Sequence, residues 1–235
     1  MPIAILAGGL AKRIRPVSEK IPKALLEING RPFIDYQLSL LRSRGIENVV
    51  LCVGFLGDMI EEYLGDGKNH RLLVQYSFDG ERPLGTGGAI KKALPLLGDR
   101  FFILYGDSYL PIDYRAVEDA YLRSGKPALM TVFRNDGRWD ASNAVYLPGG
   151  SDGAGVVAYY DKRSPAKDMN YIDYGLSCCR AKEFLKENRG CFDAADVFCR
   201  LSAEGRLAGF EAAERFYEIG SFGGIADFSR YIESL

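Results

Sequence analysis

Residues Ile3 to Ala7 form a short, wholly apolar run that stops at Gly8-Gly9. A run of that length, bounded by glycine and lacking alternation, fits a strand buried on both faces, which is the habit of parallel sheets. The unit then recurs. Residues 34–44 place Ile34, Leu38 and Leu41 on one helical face with Gly45 as a C-cap, and Val49 to Val53 reads as the next strand. A short helix over 57–64, a strand over 72–77, a glycine-led helix from Thr86 to Leu94 and a strand from Phe101 to Tyr105 follow. A helix over 113–124 and a strand over 128–133 close the series. Strands alternating with helices in this way predict an α/β fold with a mostly parallel sheet and right-handed crossovers. Such sheets bind ligands beyond the carboxyl ends of their strands. After residue 135 turn-rich stretches at 148–155 and 163–170 separate strand-like runs at 143–147, 156–160 and 172–178. This half reads as a substrate-facing extension of a single domain over 1–235, not as an independent unit.

Composition removes several classes of function. Thirty Lys and Arg against 31 Asp and Glu leave a net charge of -1, so no global basic field points to nucleic acid or an anionic membrane. The longest uncharged apolar runs, 49–57 and 101–106, fall far short of the roughly 20 residues a membrane span requires. Lys and Arg follow the first apolar run, the reverse of a secretory signal. Five cysteines, Cys52, Cys178, Cys179, Cys191 and Cys199, show no C-x-x-C spacing; reduced thiols in a cytoplasmic protein are expected, most of them small buried hydrophobes.

Any anion site must therefore be local, and the first loop supplies one. Gly8-Gly9 follow a buried strand, where backbone N–H groups can approach phosphate oxygens. Lys12, Arg13, Arg15, Lys20 and Lys23 then fall within a dozen residues, stiffened by Pro16 and Pro22. A solvated basic loop is the other reading. The segment is neither a Walker A loop nor a dinucleotide fingerprint. Gly85-Thr86-Gly87-Gly88 at a helix start reads either as a ligand contact through free N–H groups or as an ordinary cap. Asp107, just past a strand end, and Glu218, in an apolar setting, suit a hard divalent cation such as Mg²⁺, or equally an ion pair or cap. His70 lies in a polar stretch and reads as a surface residue. Trp139, the single tryptophan, reads first as packing, with sugar stacking as the second reading.

These segments resemble the sugar-1-phosphate nucleotidyltransferases. The opening G-G-x-G-T-R-L-x-P and P-K-x-L of that family stand here as Gly8 to Pro16 and Pro22-Lys23-Ala24-Leu25; L-G-T-G-G-A matches Leu84 to Ala89, and G-D matches Gly106-Asp107. Asp161-Lys162 is similar to a late Glu-Lys, Asp173-Tyr174-Gly175 to an N-x-G, and Glu218-Ile219-Gly220 to a D-x-G. The heptose 1-phosphate guanylyltransferase and N-acetylmuramate 1-phosphate uridylyltransferase types are the nearest in pattern. Three departures stand out: Ala11-Lys12 for Gly-Thr, Glu218 for Asp, and Asp173 for Asn.

The resemblance implies a Rossmann-like three-layer fold of the nucleotide-diphospho-sugar transferase kind. Residues 1–135 would be the nucleotide-binding half and 136–235 the sugar-phosphate half. It implies an Mg²⁺-dependent transfer in which a sugar 1-phosphate attacks the α-phosphorus of a nucleoside triphosphate and pyrophosphate leaves. Arg13 and Lys23 would be catalytic, and Leu6, Ala7, Gly8, Gly9, Lys12, Thr86 and Gly87 would bind nucleotide. Lys162, Asp173 and Gly175 would hold the sugar phosphate, and Asp107 and Glu218 the metal. GTP with heptose 1-phosphate is the leading expectation, with UTP- or CTP-dependent transfer to another sugar phosphate or phosphomonoester as the alternative. A catalytically weak regulatory homologue is a further reading; a dinucleotide-dependent oxidoreductase lacks its fingerprint. Ile225, Phe228, Tyr231 and Ile232 fit packing on the sheet or against a second subunit in a homodimer.

Overall fold

The computed structural model describes residues 1–9, 14, 19–139, 141–149, 154–164 and 167–235. The first apolar run forms strand β1 (Ile3–Leu6), with Ile3 and Ile5 packed into one hydrophobic cluster and Ala4 into another. That alternation is what burial on both faces requires, since successive side chains point to opposite sides of a sheet.

A short hairpin of β2 (Glu27–Ile28) and β3 (Arg31–Pro32) leads into α1 (Phe33–Ser43). Then come β4 (Asn48–Val53), α2 (Gly57–Leu64), β5 (Leu73–Phe78), α3 (Gly85–Leu97) and β6 (Arg100–Tyr105). A two-residue strand β7 (Ser108–Tyr109) precedes α4 (Tyr114–Ser124) and β8 (Ala128–Arg134). The second half adds β9 (Ala144–Leu147), β10 (Gly155–Tyr160), β11 (Tyr171–Arg180), α5 (Ala181–Leu185), α6 (Ala194–Ala203) and β12 (Leu207–Ala212). It ends with β13 (Tyr217–Glu218) and α7 (Phe222–Glu233).

Nine strands form one sheet in the order β5-β4-β1-β6-β11-β8-β12-β10-β9. All run one way except β10 and β11, as the pairings of β11 with β6 and β8, and of β10 with β12 and β9, are antiparallel. Strands β5, β4, β1 and β6 pair in parallel because helices connect them, whereas the connection from β9 to β10 is too short for a parallel crossover and that pair is antiparallel. Helices α1, α2 and α4 cover one face and α3, α5 and α6 the other, giving three layers. A third cluster, around Phe33, Tyr109, Ile219 and Phe228, seats α7 against α1 and the β7–β13 pair.

The strand order reverses at β1, which has β4 on one side and β6 on the other. Crevices open at the carboxyl ends of strands at such a reversal. Here those ends carry Ala7-Gly8-Gly9 and Gly106-Asp107.

Candidate active site

A cleft of about 320 Å³ opens at that reversal, lined by Leu6, Ala7, Gly8 and Gly9 from the end of β1. Lys23 and Ala24, Cys52, Asp79, Thr86, and Tyr105 to Asp107 are also among its walls. Close approach requires glycine at 106 and favours it at 8. A Cβ on Gly106 would lie 2.6 Å from the Leu6 carbonyl oxygen, and Gly106 N donates to that oxygen at 3.1 Å. A Cβ on Gly8 would lie 3.2 Å from Gly54 N, so the loops after β1 and β4 touch through glycine on both sides.

Lys23 opens a single helical turn, Lys23–Leu25, and its Nζ donates to Asp107 Oδ2 at 2.8 Å. The two side chains are 18% and 30% exposed, so this is a partly desolvated ion pair that fixes both groups at the cleft mouth. Buried Gln37 of α1 fastens the segment behind it, donating from Nε2 to the carbonyls of Tyr105 at 3.2 Å and Ser108 at 2.8 Å.

Tyr105 and Asp107 are shared with a second cleft of about 440 Å³. Its walls hold Lys162, Asp173, Gly175 and Glu218, with Asn143, Trp139, Tyr174, Phe216 and Ser221. The β7–β13 ladder sets Glu218 opposite Ser108, and Ile219 N donates to the Asp107 carbonyl at 2.9 Å, so the two acids are neighbours. Glu218 is held from both sides: Gly220 N donates to Oε2 at 2.5 Å and Ser221 Oγ to Oε1 at 2.6 Å. Ser221 also caps α7 by accepting from Gly224 N, which ties the acid's position to the docking of that helix. On the opposite wall the register of β11 slips between Asp173 and Ser177, where Gly175 takes φ +107. This break turns the Asp173 carboxylate inward, where Oδ1 accepts from Gly175 N at 3.0 Å and Oδ2 meets the Tyr160 and Tyr105 hydroxyls at 3.4 and 3.5 Å. Lys162 Nζ lies 5.2 Å from the centre of the Tyr105 ring.

Burial dominates the electrostatics. It raises the Asp173 carboxyl above the ordinary range, with Lys162 and the Gly175 N–H opposing it. Burial likewise raises the Asp79 carboxyl, against the Leu84 N–H and Lys92. The Tyr105 phenol is pushed well up by burial and then by Asp173. Cys52, which lines the first cleft, is pushed up to about 12, so its thiol stays protonated and unreactive there.

Leu6, Ala7, Gly8, Gly9, Lys23 and Thr86 thus line one cleft, Lys162, Asp173, Gly175 and Glu218 the other, and Asp107 both. Lys12 and Arg13 lie outside the described residues. Gly87 departs from its expected place. Its N–H and that of Gly88 donate to the Phe192 carbonyl at 2.9 and 3.3 Å, so these N–H groups are not free for phosphate. The Thr86 hydroxyl donates to Asp193 Oδ1 at 2.7 Å and accepts from Ala194 N at 2.9 Å, fastening α3 to the start of α6. His70 is half-buried and not a freely solvated surface residue: its Nε2 lies 2.9 Å from Oδ1 of Asp35 on α1, and it lines neither cleft. Gln37 and Asp79 were not anticipated. Gln37 carried a signal, as a polar residue on the apolar stripe of α1; Asp79 carried none beyond its glycine neighbour.

The family model described as nucleotidyl transferase matches residues 3–141. A D-glycero-α-D-manno-heptose 1-phosphate guanylyltransferase of Aneurinibacillus thermoaerophilus is 38% identical over 123 residues, 52% of this chain and 53% of that protein. The chain thus spans about half the length of that relative. An N-acetylmuramate α-1-phosphate uridylyltransferase of Caulobacter vibrioides is 29% identical over 221 residues, 92% of this chain and 90% of that one. Among solved structures, HddC from Yersinia pseudotuberculosis superimposes with a TM-score of 0.80 at 24% identity, over 98% of this chain and 99% of that one. The glycine-ended first strand and the paired Lys23 and Asp107 lie within the matched region, and the chain belongs to the nucleotidyl transferase family.

Proposed function

We propose that this chain moves a nucleotidyl group from a nucleoside triphosphate to a sugar 1-phosphate, with pyrophosphate as the second product. The observation that carries the reading is the pair of clefts meeting at Tyr105 and Asp107, with Lys23 at the junction. An oxygen of the sugar phosphate attacks the α-phosphorus in line, and the bond from that phosphorus to the β-phosphate bridging oxygen breaks. Such a reaction asks for placement and charge neutralisation, and no nucleophilic side chain. Backbone N–H groups at Gly8 and Gly9 face the triphosphate. The Lys23 ammonium stands where the α-phosphate and the incoming phosphate meet and offsets the charge of both. Lys162 holds the sugar phosphate, and Asp173 accepts from its hydroxyls. Arg13 would take the pyrophosphate end.

Asp107 and Glu218 fit a divalent cation. Both are oxygen donors brought together by one backbone ladder, and each Glu218 oxygen keeps a lone pair beyond its internal hydrogen bond. Among the described residues no third Asp, Glu, His or Cys joins them, which suits Mg²⁺, a cation that retains waters and phosphate oxygens. Bound there, Mg²⁺ would neutralise phosphate charge.

GTP with heptose 1-phosphate is the leading pair, supported by two such relatives at 38% and 37% identity. UTP with an amino-sugar 1-phosphate is the second reading, favoured by the uridylyltransferase that aligns along nearly the whole chain. The test is pyrophosphate release with Mg²⁺, five nucleoside triphosphates and a panel of sugar 1-phosphates, for wild type and Lys23→Ala. One productive pair is expected. Lys23→Ala should lower its kcat/KM by about 10²–10³-fold, the scale of removing a charge-stabilising group at a reacting centre. Release by neither protein with any pair would refute the reading; an unimpaired Lys23→Ala would refute the role given to Lys23.

A further inference from the structure

Trp139 is the chain's single tryptophan, and it stands 45% exposed. An indole left so open presents a large apolar surface, and here that surface borders the second cleft. Packing into a core, the first expectation for this residue, is therefore not its role. The ring is nevertheless fixed. The Arg215 guanidinium carbon lies 3.6 Å from the ring centre, and Arg215 Nη2 is tied to Asp227 Oδ2 of α7 at 2.5 Å. Arg215 Nε is buried without a partner among the described residues, so the guanidinium is placed by stacking and one ion pair. Asp227 is in turn paired with Arg230. The backbone is pinned as well: Trp139 N donates to Asn135 Oδ1 at 3.1 Å, and buried Asn135 is bonded to Ser142 and Asn170.

A ring covered on one side by a cation, carried on a backbone whose own N–H is bonded, and open along a cleft has already lost part of the freedom that binding would remove. Phe216, next to Arg215 in the chain, adds a second ring to the wall, set edge-on to Phe133 at 6.0 Å. Polar groups of the same cleft include Asp173, Asn143 and Lys162. Aromatic wall and polar lining together suit a ligand with one apolar face and a hydroxylated edge. A pyranose ring has that character, with C–H groups on a face and hydroxyls around its rim.

We infer that Trp139 is the platform on which the sugar ring of the acceptor stacks and that Arg215 is the residue that positions it. This rests on the second cleft being the sugar-phosphate site, and the test separates the two. Trp139→Leu should raise KM for the sugar phosphate by about tenfold, equivalent to about 1.4 kcal/mol, and leave KM for the nucleotide within about twofold. Trp139→Phe should restore most of the loss. Arg215→Gln should raise the same KM and leave the nucleotide KM alone, a split that a general loss of fold would not produce. As the single tryptophan, Trp139 also reports directly: adding the sugar phosphate alone to wild type should shift its emission, inorganic phosphate should not, and Arg215→Gln should blunt the shift. A sugar-phosphate KM unchanged in Trp139→Leu, or emission unmoved at saturating sugar phosphate, overturns the inference while wild-type turnover leaves the transferase reading intact. No turnover by wild type with any pair overturns both.

Discussion

Gly87→Ala sets two accounts of the glycine-rich turn against each other. By helix propensity alone the change should stabilise, since alanine is favoured over glycine in a helix by about 1 kcal/mol. The structure reverses that sign. A Cβ at Gly87 would sit 2.3 Å from Phe192 Cε2 and 3.0 Å from Ala194 N, where ordinary contact begins near 3.4 Å. The Phe192 ring would have to withdraw by about 1 Å, yet its residue is pinned: Phe192 O accepts from Gly87 N and Gly88 N, and Phe192 N donates to the Leu84 carbonyl at 3.1 Å. Forcing extra volume into such a contact costs about 1–3 kcal/mol, and a 2.3 Å approach to a pinned ring belongs in the upper half of that range, about 2–3 kcal/mol, so a net loss of about 1–2 kcal/mol remains after the propensity gain. For a chain of this size that is a Tm lower by roughly 3–6 °C, read by differential scanning calorimetry. The nucleotide KM measured beside it separates the accounts further. A Tm equal to or above wild type would refute the packing argument, and a raised nucleotide KM with Tm intact would return Gly87 to phosphate binding.

Two further outcomes follow from buried groups. Phe228 is the buried residue of α7, with ring centres 5.2 Å from Phe33 and 5.0 Å from Tyr109, and Phe228→Ala should cost about 3–5 kcal/mol. Because Ser221 joins the cap of α7 to Glu218, kcat should fall with it; faster amide exchange over 222–233 is the check, and a melt within about 2 °C of wild type would sink the idea. Asp173 has a carboxyl raised by burial, so between its unfolded value near 3.9 and its folded value the native state holds more protons than the unfolded chain. Its contribution to stability therefore falls as pH rises through that window, and Asp173→Asn should gain on wild type in Tm as pH rises from 4 to 7. A constant difference across that range would count against the assignment.

The first half was legible because its signals are physical necessities. A strand buried on both faces must be apolar throughout, and Ile3 to Leu6, Asn48 to Val53 and Arg100 to Tyr105 meet or nearly meet that demand. The loop glycines could be placed but not explained. Gly85-Thr86-Gly87-Gly88 looks the same in sequence whether it contacts phosphate or the Phe192–Ala194 segment more than a hundred residues away, since only the fold says what lies within 3 Å. Strand β12 went unread for a similar reason: Gly209 lowers its strand signal, yet a Cβ there would lie 2.6 Å from the Tyr146 ring. Helix α7 begins Phe222-Gly223-Gly224, a poor helical start, because a Cβ on Gly224 would collide with the Glu218 carboxylate. In each case tertiary contact outweighed local propensity.

Charge in the second cleft explains why aspartate is tolerated at 173. Asp107, Asp173 and Glu218 line a space proposed to admit a phosphomonoester, with Lys162 beside them and Lys23 at the junction. Between partly buried groups repulsion is several-fold stronger than in water, so three uncompensated carboxylates would oppose a phosphate. The fold compensates two of them: Lys23 is paired with Asp107, and Glu218 accepts the Gly220 N–H and the Ser221 hydroxyl. For Asp173, burial favours the protonated form instead. A protonated carboxyl offers one donor and one acceptor direction, much as an asparagine amide does, so aspartate behaves there as asparagine would while it keeps its proton. The difference between the two residues must then depend on pH. Asp173→Asn should bind the sugar phosphate progressively more tightly relative to wild type as pH rises and Asp173 ionises, so the ratio of the two KM values should change with pH. If the two KM profiles run parallel from pH 5 to 9, Asp173 does not change charge beside the substrate, and its place in the cleft must be explained by shape alone.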